Sequence, residues 1–314
     1  SSHMKILITG AAGFIGQNLV RKLIRSGHHI LGLTRQTSLE IAEGEQFRQL
    51  HISDSTGLQK YADEIRQCET VIHLASKTTP AASFGQPLKD INENLVPTLD
   101  LLNILNKSRV KRFIFASSGG TVYGIPKSTP IDENHTTIPT TPYGVEKIAA
   151  ENLIRLWASN NDVEYLLLRI SNPYGPYQHG RNNQGVIGSW LRAILHSQPI
   201  DIYGDGEVVR DYLYIDDLVS AFIIAVEQTD FPSGIYNLGS SQGSSLNEIA
   251  TSLMGIDGVE LTINRLPRRK FDVPLNILNS SKFRNQTGWT PEHSLDQGLK
   301  KALDWLIHYN SLIS

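Results

Sequence analysis

Tyr143 and Lys147 are the two side chains of this sequence whose types and spacing best suit proton transfer. They stand four residues apart, and on a helix residues i and i+4 share one face. A free phenol ionises near pH 10, but a neighbouring ammonium group favours the phenolate and lowers the phenol pKa. Such a tyrosine could exchange a proton with a substrate hydroxyl. The spacing alone is common among surface pairs, so its meaning depends on the elements that position it.

A glycine-rich turn near the start of the chain supplies that context. It follows the short apolar run Lys5–Thr9 and precedes leucine and isoleucine residues at helical spacing, and a second strand at 29–33 completes a βαβ unit. Glycines at this junction permit a tight turn and let backbone approach a pyrophosphate, while the helix start offers free N–H groups. We therefore predict a dinucleotide site. Its predicted contacts in this turn are Gly10, Gly13, Phe14, Ile15 and Gly16.

The end of the second strand bears on which dinucleotide binds. The strand runs into Thr34 and Arg35, and no carboxylate stands there to accept a hydrogen bond from a ribose 2′-hydroxyl. A guanidinium group at this place could pair with a 2′-phosphate. The sequence thus favours NADP(H), with NAD(H) as the alternative.

Composition limits the other possibilities. The chain of 314 residues has a formal charge of −2, so no general basic field attracts nucleic acid or anionic lipid. No apolar run is long enough to span a membrane, and the single cysteine, Cys68, rules out a disulfide framework or a cysteine-rich metal site. We expect a cytoplasmic protein with no metal, no nucleic-acid partner and no membrane partner.

Apolar strand patterns alternate with helical patterns along the first half of the chain. Further strands are predicted at 70–75, 112–117 and 163–170, and helices at 94–105 and 142–159. This rhythm predicts an α/β fold with a Rossmann-type, doubly wound parallel sheet. We place the dinucleotide-binding domain at 4–171. A smaller, interleaved α+β substrate-binding domain is expected at 172–314, with segments near 213–240 returning to the first domain.

The motifs together resemble the extended short-chain dehydrogenase/reductase family, in its nucleotide-sugar epimerase/dehydratase/reductase branch. The likeness runs nearly end to end. It rests on the glycine turn, His73-Leu74-Ala75, residues 117–124, residues 143–147, Asn172-Pro173-Tyr174-Gly175, Arg210-Asp211-Tyr212 and Gly288-Trp289. The resemblance implies that Leu74, Ala75 and Asn94 contact the cofactor and that Tyr143 and Lys147 are catalytic.

One catalytic position departs from the family pattern. The family places a serine or threonine, which binds the reacting hydroxyl, where this chain has Gly119. Ser118 or Thr121 is the candidate replacement. Dehydratases of the branch carry an Asp-Glu pair where this chain has Gly120 and Thr121, so dehydration is disfavoured.

The resemblance also implies a site for a nucleotide-diphosphate sugar. Arg210 and Arg269 would bind the diphosphate, since guanidinium groups bind phosphates with two parallel hydrogen bonds. Asn172 would contact the diphosphate as well, Asp272 the nucleotide ribose, and Tyr203 the base.

Three functions are compatible with these features. The favoured one is an NADPH-dependent reductase of a nucleotide-linked 4-keto hexose, because of Arg35 and the missing dehydratase pair. The main alternative is a nucleotide-sugar 4-epimerase, of the UDP-glucose or UDP-N-acetylglucosamine type, that holds NAD tightly. A remote alternative is an inactive dinucleotide sensor. Relatives pair through helices, so we expect a homodimer that uses the predicted helices at 94–105 and 142–159.

Overall fold

The protein folds around one large parallel sheet. The computed structural model describes residues 3–35, 39–53, 57–75, 85–178, 185–270 and 272–313. Its strands are β1 (Lys5–Thr9), β2 (His29–Thr34), β3 (Phe47–His51), β4 (Thr70–His73), β5 (Arg112–Ser118), β6 (Glu164–Ile170), β7 (Asn172–Tyr174), β8 (Ile200–Tyr203), β9 (Val209–Tyr214), β10 (Gly234–Leu238), β11 (Gly243–Ser245), β12 (Ile263–Leu266) and β13 (Leu275–Asn276). Its helices are α1 (Phe14–Arg25), α2 (Gly57–Lys60), α3 (Ala62–Ile65), α4 (Pro87–Asp90), α5 (Val96–Leu105), α6 (Pro142–Asn160), α7 (Val186–Leu195), α8 (Ile215–Glu227), α9 (Leu246–Met254), α10 (Ser281–Thr287) and α11 (Leu295–Ile313).

The large sheet has the order β10-β6-β5-β4-β1-β2-β3, and every neighbouring pair in it is parallel. The predicted Rossmann-type doubly wound fold is confirmed. In β1, Ile6 and Ile8 belong to the core on one face of the sheet, and Leu7 belongs to the core on the other face. Successive strand residues point to opposite faces, so a strand covered on both sides must be apolar throughout.

Helices close both cores. Leu19, Val20 and Leu23 of α1 join the core that contains Ile6, together with residues of α8. Leu101 and Leu105 of α5 and Ile154 of α6 join the core that contains Leu7. The carboxyl ends of the strands, where ligands bind in open parallel sheets, therefore lie between two helical layers.

The second half of the chain builds smaller sheets beside this frame. Strand β9 pairs in parallel with β7 and β13 and antiparallel with β11, and β8 pairs with β12. Strand β10 adds to the edge of the large sheet next to β6. The domain limits at 171 and 172 stay a prediction.

The helix that carries Asn94 begins earlier than the sequence predicts. It starts at Pro87 and passes through a π-helical turn at Ile91–Leu95 before α5 begins. Pro97 explains the wider turn, because proline has no N–H to donate to the carbonyl of Glu93 and its ring crowds that carbonyl. The predicted start at Asn94 is therefore wrong, and the proline is accommodated inside a longer helix. Similarly, β4 ends at His73, short of the predicted Ala75.

Two buried carboxylates connect distant parts of the second half. Asp211 accepts hydrogen bonds from the N–H groups of Ser240 (2.7 Å), Ser241 (3.3 Å) and Leu278 (3.1 Å). Asp217, in the first turn of α8, accepts from the backbone N–H groups of residues 292 and 293 at 3.0 and 3.1 Å. Burial raises the pKa of Asp211, and the donated hydrogen bonds oppose that shift.

Within the described ranges, none of the helices combines the length and the apolar character that a bilayer crossing requires.

Candidate active site

The glycine turn has the geometry of a phosphate cradle. Gly10 has a φ of 65°, and a Cβ there would lie 2.9 Å from the backbone nitrogen of Ala75. A Cβ on Gly16 would overlap the carbonyl oxygen of Gly10. Gly13 caps α1 without a side-chain hydrogen bond, and the first turn of α1 carries no acidic residue. Because the start of a helix favours negative charge, this turn is the candidate site for the pyrophosphate of a dinucleotide.

Tyr143 and Lys147 share one face of α6, as their spacing predicts. The Lys147 Nζ lies 5.4 Å from the centre of the Tyr143 ring and donates to the carbonyl of Ala116 at 3.3 Å. The helix begins where it does because Thr141 caps it: the threonine hydroxyl accepts from the N–H of Gly144 at 3.1 Å. The cap fixes Tyr143 in the first turn of α6.

One cleft of about 900 Å³ contains most of the predicted site. The glycine turn, Leu74 and Tyr143 line it beside the predicted substrate residues. The predicted residues in its lining are Gly10, Gly13, Phe14, Ile15, Gly16, Leu74, Ser118, Thr121, Tyr143, Asn172, Tyr203, Arg210, Arg269 and Asp272. A separate cavity of about 20 Å³ brings Ala75, Asn94 and Lys147 next to Tyr143.

Thr34 and Arg35 are predicted cofactor residues that line neither the cleft nor the neighbouring cavity, as far as the described residues define them. Thr34 is buried at the end of β2, and its hydroxyl accepts from Gln49 Nε2 at 2.9 Å. Arg35 is exposed immediately after the strand. An exposed guanidinium group can turn toward a phosphate without losing a buried partner.

The end of β5 and the turn after it contain Gly119 and the two residues, Ser118 and Thr121, that could supply the hydroxyl the family places at position 119. A Cβ on Gly119 would overlap Cδ1 of Leu278 and lie 3.1 Å from the carbonyl oxygen of Arg169. A side chain there would collide with packed core, which explains the departure from the family pattern. The hydroxyl of Thr121 is buried and has no hydrogen-bond partner in the described protein.

Thr121 also lies next to the helix that carries the phenol. A Cβ on Gly144, which follows Tyr143 directly, would lie 2.6 Å from the carbonyl oxygen of Thr121. The absence of a side chain at 144 thus lets the turn and the first turn of α6 pack backbone to backbone.

Two arginines from distant segments meet at the other end of the cleft. Arg210 on β9 is largely buried and donates to the carbonyl of Val209 at 2.9 Å. Burial lowers the Arg210 pKa, Tyr212 and Asp272 oppose that shift, and the charge of Arg269 adds a smaller lowering. The Arg269 guanidinium carbon lies 4.5 Å from the centre of the Tyr203 ring, and its Nε lies 3.4 Å from Asp272 Oδ2. An anion between the two guanidinium groups would relieve their repulsion.

Asn172 stands between the two halves of the cleft. Its Nδ2 donates to the backbone carbonyl of Asp211 at 3.1 Å, and its Oδ1 would be 3.8 Å from a Cβ on Gly120. The side chain is therefore held against both β9 and the turn after β5.

Some lining residues were not predicted from the sequence. Helix α7 contributes Val186, Ile187 and Trp190, and β9 contributes Tyr212. Burial raises the pKa of the Tyr212 phenol. The apolar face of α7 looks like an ordinary core face in the sequence, so no local signal marks it as a cleft wall. No cluster of three or more metal-ligating side chains occurs among the described residues.

Comparisons with known proteins identify the family of the chain. The model of the NAD dependent epimerase/dehydratase family matches residues 6–239. A putative UDP-glucose 4-epimerase of Methanocaldococcus jannaschii is 32% identical over 311 residues, with 97% of this chain and 99% of the relative covered. A dTDP-4-dehydro-6-deoxyglucose reductase of Escherichia coli is 33% identical over 311 residues, with 95% and 96% covered.

Solved structures give the same result. The UDP-glucose 4-epimerase of Thermotoga maritima, solved with UDP-glucose, has a TM-score of 0.90 at 33% identity and covers 99% of this chain and 100% of its own. The Thermus thermophilus UDP-glucose 4-epimerase, in complex with NAD, has a TM-score of 0.88 at 27% identity and covers 96% and 99%. The chain therefore belongs to the NAD-dependent epimerase/dehydratase family and is an NAD(P)-dependent enzyme of that family, an epimerase or a reductase.

Proposed function

We propose that the protein is a 4-epimerase of UDP-hexoses. The observation that carries the proposal is the single cleft in which a glycine phosphate cradle, the Tyr143 phenol and the Arg210–Arg269 pair open onto one space. This arrangement suits a sugar nucleotide whose diphosphate and whose reacting carbon must both be fixed. The similar chains named as UDP-glucose 4-epimerases support the same choice.

The proposed chemistry uses Tyr143 as acid and base. Its phenolate takes the proton of the sugar 4-hydroxyl as carbon 4 loses hydride. After the 4-ketosugar has rotated in the site, the phenol returns that proton to the oxygen on carbon 4 as hydride is added to the other face. A dinucleotide held at the glycine turn of Gly10, Gly13 and Gly16 would supply the hydride acceptor and donor for this reaction. Lys147, fixed by its bond to the Ala116 carbonyl, holds a positive charge 5.4 Å from the centre of the Tyr143 ring.

We assign the hydroxyl that binds the reacting sugar oxygen to Thr121. Its Oγ1 is buried without a protein partner, which is the state expected of a group that waits for a ligand. Ser118 lines the same cleft and is the remaining alternative. Position 119, where relatives of this branch carry the hydroxyl, is filled by Leu278.

The substrate diphosphate is assigned to Arg210 and Arg269. Asn172, which lines the same cleft and is held against β9, is assigned to the same group. Asp272 is held beside the Arg269 guanidinium and is assigned to the nucleotide ribose. Tyr203, whose ring lies against that guanidinium, is assigned to the base.

A 4-ketosugar reductase is the second candidate. It is favoured by exposed Arg35 at the end of β2, where a 2′-phosphate of NADPH would lie, and by the similarity to the E. coli reductase. The two candidates imply different cofactors. An epimerase would retain NAD(H), as the structure of the Thermus epimerase with NAD suggests, and a reductase would consume NADPH.

One experiment separates these functions. The pure protein is denatured, the released dinucleotide is identified by mass spectrometry, and the native protein is incubated with UDP-galactose without added cofactor. Bound NAD(H) and formation of UDP-glucose support the epimerase. Turnover only of a 4-keto sugar with stoichiometric NADPH consumption would replace it by the reductase, and binding of neither dinucleotide would exclude both.

We further propose a homodimer formed through the long helices on one side of the sheet. Leu88 of α4, which is 72% exposed, and Val96 and Leu99 of α5 present apolar side chains to solvent, as do Val145 and Leu156 of α6. A second copy is the partner we assign to this face, because the helices of relatives pair in this way. Light scattering should give twice the chain mass, and Leu88→Asp should shift the protein to monomer. A monomeric wild type at micromolar concentration would contradict the proposal.

A further inference from the structure

His73, the last residue of β4, is a buried histidine that the proposed chemistry does not use. Its side chain is stacked on Phe115 with ring centres 5.7 Å apart, and its exposure is 4%. Both ring nitrogens make short contacts with hydroxyl groups. Nδ1 lies 2.6 Å from Thr9 Oγ1, and Nε2 lies 2.8 Å from Thr98 Oγ1.

The partners of Thr9 decide which nitrogen carries the proton. Thr9 Oγ1 accepts from the N–H groups of Leu74 at 3.0 Å and Ala75 at 3.2 Å. A hydroxyl oxygen has two lone pairs and one hydrogen, so these two donors use its acceptor capacity. The Thr9 hydroxyl must then donate to His73 Nδ1, and Nδ1 carries no proton.

The other side of the ring follows from this assignment. A neutral imidazole with an unprotonated Nδ1 carries its proton on Nε2, which therefore donates to Thr98 Oγ1. The Thr98 hydroxyl in turn donates to the backbone carbonyl of Asn94 at 3.1 Å. Two backbone N–H groups, the Thr9 hydroxyl, the His73 Nε2–H and the Thr98 hydroxyl thus donate in one consistent direction, from the ends of β1 and β4 to the π-helical turn.

The surroundings keep this imidazole neutral. Burial, together with a smaller contribution from the charge of Lys147, lowers the His73 pKa to about 3. Lys147 stands over Phe115, 5.1 Å from the ring centre, on the side of the catalytic pair. A proton on Nδ1 would remove the acceptor of Thr9 and add a second cation near Lys147.

We propose that His73 is a positioning residue for the dinucleotide, whose fixed Nε2–H tautomer ties the start of the glycine turn to the helix turn that presents Asn94. The inference rests on the proposed dinucleotide site. Thr9 directly precedes Gly10, and Leu74 lines the cleft together with that glycine. Asn94 lines the neighbouring cavity with Tyr143 and Lys147. The ring therefore fixes the distance between two elements that contact opposite parts of one ligand.

The tautomer is measured directly by ¹⁵N NMR of histidine-labelled full-length protein, which requires no activity. We expect His73 to show a protonated Nε2, an unprotonated Nδ1 and no titration between about pH 5 and 8. A protonated Nδ1, or titration near the ordinary histidine pKa, would overturn the inference.

The positioning role is tested with Thr98→Val, which keeps the side-chain shape and leaves the Nε2 proton without an acceptor. We expect the dissociation constant for NAD+ to rise about tenfold, because the His73 Nε2–H would be buried without an acceptor and would no longer hold the turn that carries Asn94. The dissociation constant for UDP should stay unchanged. Thr98→Ser should restore NAD+ binding. Thr251→Val is the matched control, since Thr251 Oγ1 donates to the carbonyl of Asn247, also four residues earlier, in a helix away from the cofactor.

The outcomes separate this inference from the proposed function. Unchanged NAD+ affinity in Thr98→Val, or equal loss of UDP affinity, would overturn the positioning role alone. A wild-type protein that binds neither NAD+ nor NADP+ would overturn the proposed function and, with it, the positioning role.

Discussion

Replacement of Thr121 by valine isolates the proposed catalytic hydroxyl. Valine keeps the branched shape and exchanges the hydroxyl for a methyl group. Because Thr121 Oγ1 has no partner in the described protein, the exchange breaks no protein hydrogen bond. The unfolding free energy should therefore stay within about 0.5 kcal/mol of the wild type, or rise, since an unsatisfied buried hydroxyl disfavours folding.

The effect on turnover should be large. A hydrogen bond to an oxygen that gains charge contributes about 1.5–3 kcal/mol, which corresponds to a loss of about 10- to 150-fold in kcat. The assay is conversion of UDP-galactose to UDP-glucose, followed by thermal unfolding of the same samples. Thr121→Ser should retain most of the activity, and Ser118→Ala should behave like the wild type.

Two results would refute the assignment. One is an unchanged kcat in Thr121→Val with the loss appearing in Ser118→Ala instead. The other is recovery of activity when Gly119→Ser is added to Thr121→Val. We expect no recovery, and a loss of about 1–3 kcal/mol in stability, because a side chain at 119 meets Leu278.

Four further predictions concern the cofactor, the catalytic phenol and stability. Tyr143→Phe should lower kcat by about two to four powers of ten while UDP binding persists in calorimetry, and near-normal turnover would remove the phenol from the mechanism. Arg35→Asp should shift the measured NADP+/NAD+ affinity ratio toward NAD+, and an unchanged ratio would mean that Arg35 does not contact the 2′-phosphate. Asp211→Asn should lower the unfolding free energy in urea by about 3 kcal/mol, since hydrogen bonds to a carboxylate contribute about 1.5–3 kcal/mol each, and a loss below about 1 kcal/mol would contradict its role. The folded-state pKa of His73, about 3, lies below its unfolded value of 6.5, so the unfolded chain takes up a proton first as the pH falls. The unfolding free energy should therefore decrease by up to about 1.4 kcal/mol per pH unit below pH 6.5 because of this residue. His73→Gln should reduce that pH dependence in urea unfolding, and an unchanged dependence would contradict the lowered pKa.

The features that the sequence predicts well are the local ones. Apolar runs in β1 and β2 and the glycines between them specify one βαβ unit, and the spacing of Tyr143 and Lys147 places them on one helix face whatever surrounds them. The epimerase or reductase family follows from such motifs. The sequence favours a reductase and NADP(H), a preference that neither the structure nor the comparisons test. The proposed function departs from it because similar chains include UDP-glucose 4-epimerases, one of them solved with NAD.

The helix at 87–105 shows why other features were missed. Its exposed apolar residues Leu88, Ile91, Val96 and Leu99 are spaced by three, five and three positions. A step of five does not fit a regular α-helix, so the pattern in the sequence breaks at 91–96. The π-helical turn accommodates that step, and the wider turn depends on Pro97.

The choice of hydroxyl needed tertiary structure as well. Leu278 fills the space beside Gly119 but lies far from it in the sequence, so no local pattern predicts the contact. The same holds for Val186 and Trp190, which line the cleft because α7 packs against β8, where Trp190 Nε1 donates to the carbonyl of Asp201 at 3.2 Å.

The two buried carboxylates of the second half have a consequence for protein synthesis. The hydrogen bond from the N–H of Leu278 to Asp211 cannot form before residue 278 has been synthesised. The hydrogen bonds from the N–H groups of Glu292 and His293 to Asp217 cannot form before residues 292 and 293. A nascent chain that has not yet emerged from the ribosome beyond these residues would have to bury charges without their donors, which strongly opposes compaction. The second half of the chain should therefore remain open during translation and close only when nearly the whole polypeptide has been released.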